Sequence, residues 1–364
     1  MTRTIAELFA ALYRQAPADR ALGLEFGGVT LVVRSNSLTL LDRLRTYFGA
    51  LSLPKAPTSA EIILYAFEVD APDYGLDFRE WPREAGKAGQ KERFFDLVDG
   101  RIVYKVRTRM QFLLGLEQLV AVGPCIENTN QIINFVNSQY ISRRLHEGWS
   151  LCHAAGVAYQ RRGLGIAARA GAGKSTLALH LMSSGLSFVS NDRLLLKQTD
   201  DGPMMAGIPK MPRVNPGTLL NNPDLESILP DERRRALAGL PTQEIWNLEE
   251  KYDVLVDDVY GPDRSVYRVG LVGLLVLNWS WKDEATPTRF ADVVPGERMD
   301  LLELVMKSPG VFHRDEEGHS ALETARPEPS SYLEAVRGVR VWEVTGRPNF
   351  ELGVDFCRRL LEVP

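Results

Sequence analysis

The chain has 364 residues, 45% hydrophobic and 25% charged, with a formal net charge of −4 at pH 7. That is material for one large domain or two ordinary ones, with ample core. The balance gives no global electrostatic case for nucleic acid, and no apolar run reaches the roughly eighteen residues of a membrane span.

The opening stretch "MTRTIAELFAALYRQAP" is too amphipathic for a secretory signal. Its Ile5, Leu8, Phe9 and Leu12 have the spacing of a short surface helix. Residues 22–41 read as strands separated by Gly27-Gly28 and a polar turn, and 60–69 as another strand. In "ERFFDLVDGRIVYKVRT" (92–108), Asp-Gly stands between two β-rich runs, which is a hairpin signal. The first 120 or so residues are therefore expected to be α+β with antiparallel pairing. Residues 70–91, rich in Pro, Gly and charge, read as a loop.

A helix follows, with Ile133, Val136, Tyr140, Ile141 and Leu145 on one face and Gly148 as its stop. Two short strands with a basic turn at Arg161 and Arg162 lead to "GIAARAGAGKSTLALHL" (165–181). Residues 186–197 read as one buried strand with a polar break at Ser190, Asn191 and Asp192, 272–279 as a buried strand, and the tail as an amphipathic helix. Cys125, Cys152 and Cys357 form neither a disulfide framework nor a zinc pattern and suit a reducing cytoplasm. A boundary near 125 is expected, with an α+β domain over 1–125 and a nucleotide-binding domain over 126–364.

The central stretch carries the chemistry. Gly173-Lys174-Ser175 fits the end of a P-loop, although Ala168 holds the first Gly position. The tripeptide alone occurs by chance in about one chain in five of this length. Context adds to it: an apolar run precedes, Gly171 frees the turn, and a helix stopping at Gly185 follows. Backbone N–H groups of Gly171, Ala172, Gly173, Lys174 and Ser175, with Thr176 next on the helix, would converge on phosphate. Lys174 would bridge β- and γ-phosphates and the Ser175 hydroxyl would bind Mg²⁺. His153 precedes Lys174 by 21 residues and Asp192 follows it by 18. Asp192 is a candidate Mg²⁺ ligand or nucleophile-positioning group, or else a turn residue with Arg193. His153 taken alone reads rather as a satisfied core histidine on a strand.

Taken together, "CHAAGVAYQRRGLGIAARAGAGKSTLALHLMSSGLSFVSNDRLLL" resembles the nucleotide-binding segment of the HPr kinase/phosphorylase family. That family's His, P-loop Lys and Asp-Asp-Arg triplet fall without gaps on His153, Lys174 and Asn191-Asp192-Arg193. The resemblance implies a mixed-sheet, phosphoenolpyruvate-carboxykinase-like α/β (α+β) fold and a homo-oligomer. It implies Lys174 and Ser175 on the phosphates and Mg²⁺ of ATP, His153 near the transferred phosphate, and a carboxylate base. The first Asp of the family pair is Asn191 here, so Asp192 alone remains for that role.

Arg213, with Lys210 and Asn215 in "GIPKMPRVNPGTLLNNP", is a candidate second phosphate contact. Glu249 or Glu250 could help hold Mg²⁺ or belong to a solvated face. Trp279 and Trp281 read as packing rather than adenine stacking. The expected function is an ATP- and Mg²⁺-dependent cytoplasmic phosphotransferase. Its acceptor would be a hydroxyl on a protein or a small molecule, with neither nucleic acid nor membrane as partner. The rivals are a nucleotide-binding regulatory module without transfer, which Asn191 and Ala168 favour, and an assembly subunit with a structural loop.

Overall fold

A computed structural model describes residues 3–81, 89–241, 244–245, 248, 250–283, 285–315 and 327–363. The chain forms two compact units. One comprises Met1–Glu147 with Ser308–Arg326, the other Gly148–Lys307 with Pro327–Pro364. Both are built on mixed sheets flanked by helices.

The first unit contains α1 (Ile5–Gln15), β1 (Arg20–Phe26), β2 (Val29–Ser35), α2 (Leu38–Phe48), β3 (Ile62–Glu68) and β4 (Arg79–Glu80). It continues with β5 (Glu92–Leu97), β6 (Gly100–Lys105), β7 (Met110–Gly115), β8 (Leu119–Gly123) and α3 (Thr129–His146). A Thr4–Glu7 capping box starts α1. This helix buries Ile5, Leu8 and Leu12 against Phe67, Ile102, Leu113 and Val120 of the sheet. The strand order is β1-β2-β3-β8-β7-β6-β5-β4. The Asp-Gly run does form the β5–β6 hairpin.

Pairing is not wholly antiparallel, however: β2–β3 and β3–β8 are parallel. Parallel neighbours need a crossover, which α2 supplies for the first pair and the β4–β7 meander for the second. Residues 38–41, read as strand, open α2 behind the Ser37 cap. The expected loop at 70–91 contains the two-residue β4, and residues 82–88 lie outside the described set.

The unit boundary falls at 147/148 rather than near 125, because α3 packs into the first unit. Tyr140 meets Phe26 edge-on at 4.8 Å between ring centroids, and Phe135 meets Phe112 at 4.9 Å. Phe312 joins the same aromatic cluster, 4.9 Å from Phe112, which explains why 308–315 returns to this unit.

The second unit runs β9 (Ser150–Cys152), β10 (Ala154–Tyr159), β11 (Arg162–Ala168), α4 (Lys174–Ser183), β12 (Ser187–Ser190), β13 (Leu194–Thr199) and β14 (Gly202–Gly207). Then come β15 (Arg213–Val214), α5 (Pro216–Leu220), α6 (Asp231–Leu237), β16 (Tyr252–Asp253), α7 (Val256–Tyr260) and β17 (Arg268–Leu277). It ends with β18 (Arg289–Val293), α8 (Met299–Val305), α9 (Pro329–Ala335), β19 (Arg340–Thr345) and α10 (Phe350–Leu360).

The main path is β12-β10-β11-β17-β14-β13-β9, with β19 also on β17 and β18 on β19. β11–β17 and β17–β19 are parallel and the other pairs antiparallel. Alternation along the strands splits the core into two layers. Leu164, Ile166, Leu275 and Leu277 pack with Leu177 and Leu181 of α4 and Cys357 of α10. Leu274, Val276 and Val341 pack with Leu301 and Val305 of α8 and Val336 after α9.

The path also curls back on itself. Gly156 and Gly165 face each other across β10 and β11, and a Cβ on Gly156 would stand 2.9 Å from Leu194 Cδ1. Their bare backbones let the start of β13 lie close over this pair. Among the described residues, no helix is long and apolar enough to cross a membrane.

Candidate functional site

β11 ends at Ala168, whose fully buried methyl joins the core where the P-loop motif has glycine. Residues 169–173 then turn sharply, with the Ala172 N–H donating to Arg169 O at 3.2 Å. Gly171 and Gly173 adopt φ of +79° and +97°, a region open chiefly to glycine. Gly173 is enforced twice, since a Cβ there would meet Phe350 Cζ at 2.8 Å. The loop is held from outside by two indoles. Trp279 Nε1 donates to Ala172 O at 2.6 Å and Trp281 Nε1 to Gly171 O at 3.3 Å. Trp279 is buried and Trp281 is 55% exposed.

α4 starts immediately at Lys174, so its first backbone N–H groups, which lack intrahelical partners, open at the loop. Lys174 is buried, and its ammonium reaches back to Ala168 O at 3.2 Å and His153 Nε2 at 3.1 Å. Burial lowers its pKa; Asp192 counters this and Lys307 adds to it.

His153 and Asp192 meet for a reason of register. β9 and β10 are one run interrupted only by His153, and β12 and β13 are one run interrupted by Asn191, Asp192 and Arg193. β12 pairs antiparallel with β10, and β13 antiparallel with β9. The two interruptions therefore lie opposite each other. The run 186–197 is thus two strands, broken where the Ser190 hydroxyl turns onto Arg193 O and accepts from Ile208 N at 3.1 Å. His153 Nε2 lies 3.4 Å from Asp192 Oδ1, and Lys307 Nζ lies 3.8 Å from Asp192 Oδ2.

The hydrogen bond from His153 holds the Asp192 carboxyl well below the usual carboxylate range; burial opposes this, and Lys307 and Lys210 reinforce it. Asp192 remains 42% exposed, so solvent screens part of these interactions. His153 Nε2 faces both Lys174 and Asp192. A neutral ring can accept from the first or donate to the second through that one nitrogen, not both. Asn191 is buried, and its Oδ1 has no hydrogen-bond partner among the described residues.

Other candidates are placed elsewhere or already engaged. Ser175 is half-buried on the first turn of α4. Thr176 turns to Thr218 of α5, hydroxyl to hydroxyl at 3.3 Å, and both are buried. Arg213 pairs with Asp253 at 3.0 Å across β15 and β16. Glu250 accepts from Arg233 and Tyr252, and Glu249 lies outside the described residues. Among the described residues no group of three or more His, Cys, Asp or Glu is placed to hold a metal.

Lys307 is the site residue that sequence reasoning missed. The segment after α8 lies along β9: His153 N donates to Val305 O at 2.7 Å and Lys307 N to Leu151 O at 3.2 Å. That backbone clamp sets Lys307 beside Asp192, and no local pattern around it signals such a pairing. Lys210 arrives by a similar route, two residues beyond the Ile208 N–H that binds Ser190.

No protein-family model matches the chain, and no curated protein matches it. Among solved structures, the HPr(Ser) kinase/phosphatase from Coxiella burnetii matches with 14% sequence identity and a TM-score of 0.29. The match covers 58% of this chain and 95% of that one. A TM-score of that size does not establish a common fold.

Proposed function

We propose that this protein is an ATP- and Mg²⁺-dependent phosphotransferase of phosphoenolpyruvate-carboxykinase-like architecture, moving the γ-phosphate to a hydroxyl. One observation carries the reading: Lys174 Nζ, His153 Nε2 and Asp192 Oδ1 are linked at 3.1 and 3.4 Å at the mouth of a glycine loop that opens a helix. A buried ammonium beside unpaired helix N–H groups is chemistry suited to a polyphosphate.

The residues present fit both nucleotide and metal. The positive-φ glycines and the α4 N-terminus would cradle phosphate oxygens, and Lys174 would neutralise them. Mg²⁺ would be held by the Ser175 hydroxyl and the Asp192 carboxylate and would supply charge neutralisation when bound. In the transfer, the bond from the γ-phosphorus to the bridging oxygen breaks, leaving its electrons on ADP. A bond from the acceptor oxygen forms, and the hydroxyl proton passes to Asp192. A carboxylate held so low is a weak proton acceptor, which fits a loose transition state where positioning and charge matter most.

The same low carboxyl, with Asn191 in place of a second acid, favours the alternative of a regulatory module that binds nucleotide without transferring phosphate. Calorimetry of Mg²⁺·ATP on wild type and Lys174→Ala tests the binding that both readings share; unchanged affinity removes both. Incubation with γ-labelled ATP separates them, since a regulatory module leaves the label on ATP.

A further inference from the structure

A cleft of about 690 Å³ opens in the first unit, between one face of the sheet and the irregular stretch 69–78. Its size is that of an ordinary small-molecule site. One row of the sheet supplies its floor. Arg93 pairs with Tyr104 across β5 and β6, and Tyr104 with Gln111 across β6 and β7. Directly paired residues point to the same face, so these three side chains stand side by side, and all three line the cleft.

Gln111 has a polar atom to spare. The residue is 6% exposed, and its Nε2 donates to Pro72 O at 2.8 Å. That bond fixes the amide, because the reverse orientation would set two acceptors against each other. Oε1 is left buried, with no hydrogen-bond partner among the described residues. A buried acceptor in that state calls for a donor. On either side of Pro72 the chain brings Asp70 and Asp73 to the same cleft, and Glu68 joins them. Glu68 accepts from Ile126 N at 2.7 Å and Asp73 from Gly75 N at 2.9 Å, each through one oxygen. Arg109 also belongs to this end. Its carbonyl oxygen lies 3.5 Å from where a Cβ on Gly123 would stand, and Gly123 pairs with Glu68. Three carboxylates thus face one cation here.

The other end of the row is basic. Arg93 lies two strands from Gln111, about 10 Å away at the backbone. Among the described residues its side chain forms no ion pair or hydrogen bond, not even with Glu80, its neighbour across β4 and β5. Between the two ends the surface is aromatic: Tyr104 and Phe78 stand 5.9 Å apart between ring centroids, and both line the cleft. An acceptor among acids, an apolar middle and a free guanidinium follow one another along a single row.

We infer that this cleft binds a small zwitterion. Its ammonium is held by Gln111 Oε1 and the Asp70 and Asp73 carboxylates, its carboxylate by Arg93, and its apolar side chain by Tyr104 and Phe78. An ammonium supplies the donors that Gln111 lacks, and a guanidinium matches a carboxylate in shape as well as charge. A free amino acid fits if Arg93 leans over Tyr104, and a dipeptide fits if it does not. The inference is independent of the phosphotransferase reading, which rests on the second unit.

The test is calorimetry on the full chain with phenylalanine, leucine, glycylphenylalanine and glycylleucine as probes. At least one should bind with a Kd below about 1 mM; binding by none of the four overturns the inference and leaves water as the partner of Gln111. The amino acids and the dipeptides separate the two sources. N-acetylation and amidation of the best probe should each weaken it at least about tenfold, since each removes one charge-assisted contact. Equal binding of either blocked form overturns the zwitterion. Arg93→Met should also lose at least about tenfold, with Arg93→Lys recovering part of it. Arg93 is exposed, so these variants should melt as wild type does. Gln111→Leu should weaken the probe, and Gln111→Glu, which keeps an acceptor, should not. Affinity unchanged by Arg93→Met overturns the placement of the carboxylate and the inference with it.

Discussion

Trp279 donates its indole N–H to the Ala172 carbonyl at 2.6 Å, tying the loop before Lys174 to the segment just past β17. The bond is partly buried, so removing the donor leaves a carbonyl without its partner, at a cost of about 1 kcal/mol. Trp279→Phe keeps an aromatic ring against Phe350, 5.3 Å away between centroids. The expected result is a folded protein whose nucleotide affinity falls about tenfold by calorimetry. Wild-type affinity in this variant would mean that the loop holds its shape without the indole.

Asp192→Asn separates charge from shape. The substitution removes the only negative charge facing Lys174 in the described site, where Asp192 raises and Lys307 lowers the ammonium pKa. Binding of metal-free ATP should therefore hold or strengthen, while the gain from adding Mg²⁺ shrinks. Transfer should fall by about 10²-fold or more. Asn191→Asp, which restores a second carboxylate, should preserve or raise transfer. Label moving to an acceptor at the wild-type rate in Asp192→Asn would remove that residue from the chemistry.

Gly207→Ala tests the scaffold beneath the site. A Cβ on Gly207 would lie 1.9 Å from Val189 O, a backbone atom that cannot step aside. The end of β12 would have to move, carrying Ser190 and the Asp192 corner with it. Destabilisation of about 3 kcal/mol or more is expected from denaturant unfolding. A shift under about 0.5 kcal/mol would show that β12 and β14 can separate freely.

A pH effect should arise in the first unit. Burial pushes the His313 pKa down to about 4; the nearby His146 adds to this and Asp315 opposes it. The ring accepts from or donates to Ser142 Oγ at 3.0 Å through Nδ1. The folded state thus binds this proton less readily than the unfolded chain, whose histidine titrates near about 6.5. Stability from this group is complete above about pH 6.5, falls as pH drops toward about 4, and is then constant. The loss is at most about 3 kcal/mol. Melting curves of wild type and His313→Gln at pH 7.5 and 4.5 check this: the variant should lose less. An equal loss would assign the acid sensitivity to other groups.

Lys174 stood out in the sequence through the Gly-Lys-Ser turn that opens a helix, and Asp192 through a polar break in an apolar run, whereas His153 was singled out only by its spacing in the family resemblance. The β5–β6 hairpin was legible because its turn chemistry is local. The parallel joins of β3 were not, since β2 and β8 reach it through crossovers that leave no mark in the strands. α3 was legible as a helix, but its membership of the first unit depended on Phe26 and Phe112, far away in sequence. Lys307 was invisible for the same reason: it looks like any lysine after an amphipathic helix, and only its backbone bond to Leu151 gives it a place. Thr176 and Arg213 matched patterns, but Thr218 and Asp253, the partners that engage them, are distant or ordinary residues.

The opposed gaps in β9–β10 and β12–β13 also bear on how this chain can change length. Asp192 reaches His153 by counting residues along paired strands from Gly156 and Ser190, not by its distance from α4. The turn between α4 and β12, around the exposed Gly185, is outside that count. Extra residues should be absorbed there as slack. One residue added between Ser190 and Leu194 would instead either bulge or shift β13 against β9 by a step, turning its inward side chains outward. The same single-residue edit is thus a silent change on one side of β12 and a loss of the site on the other.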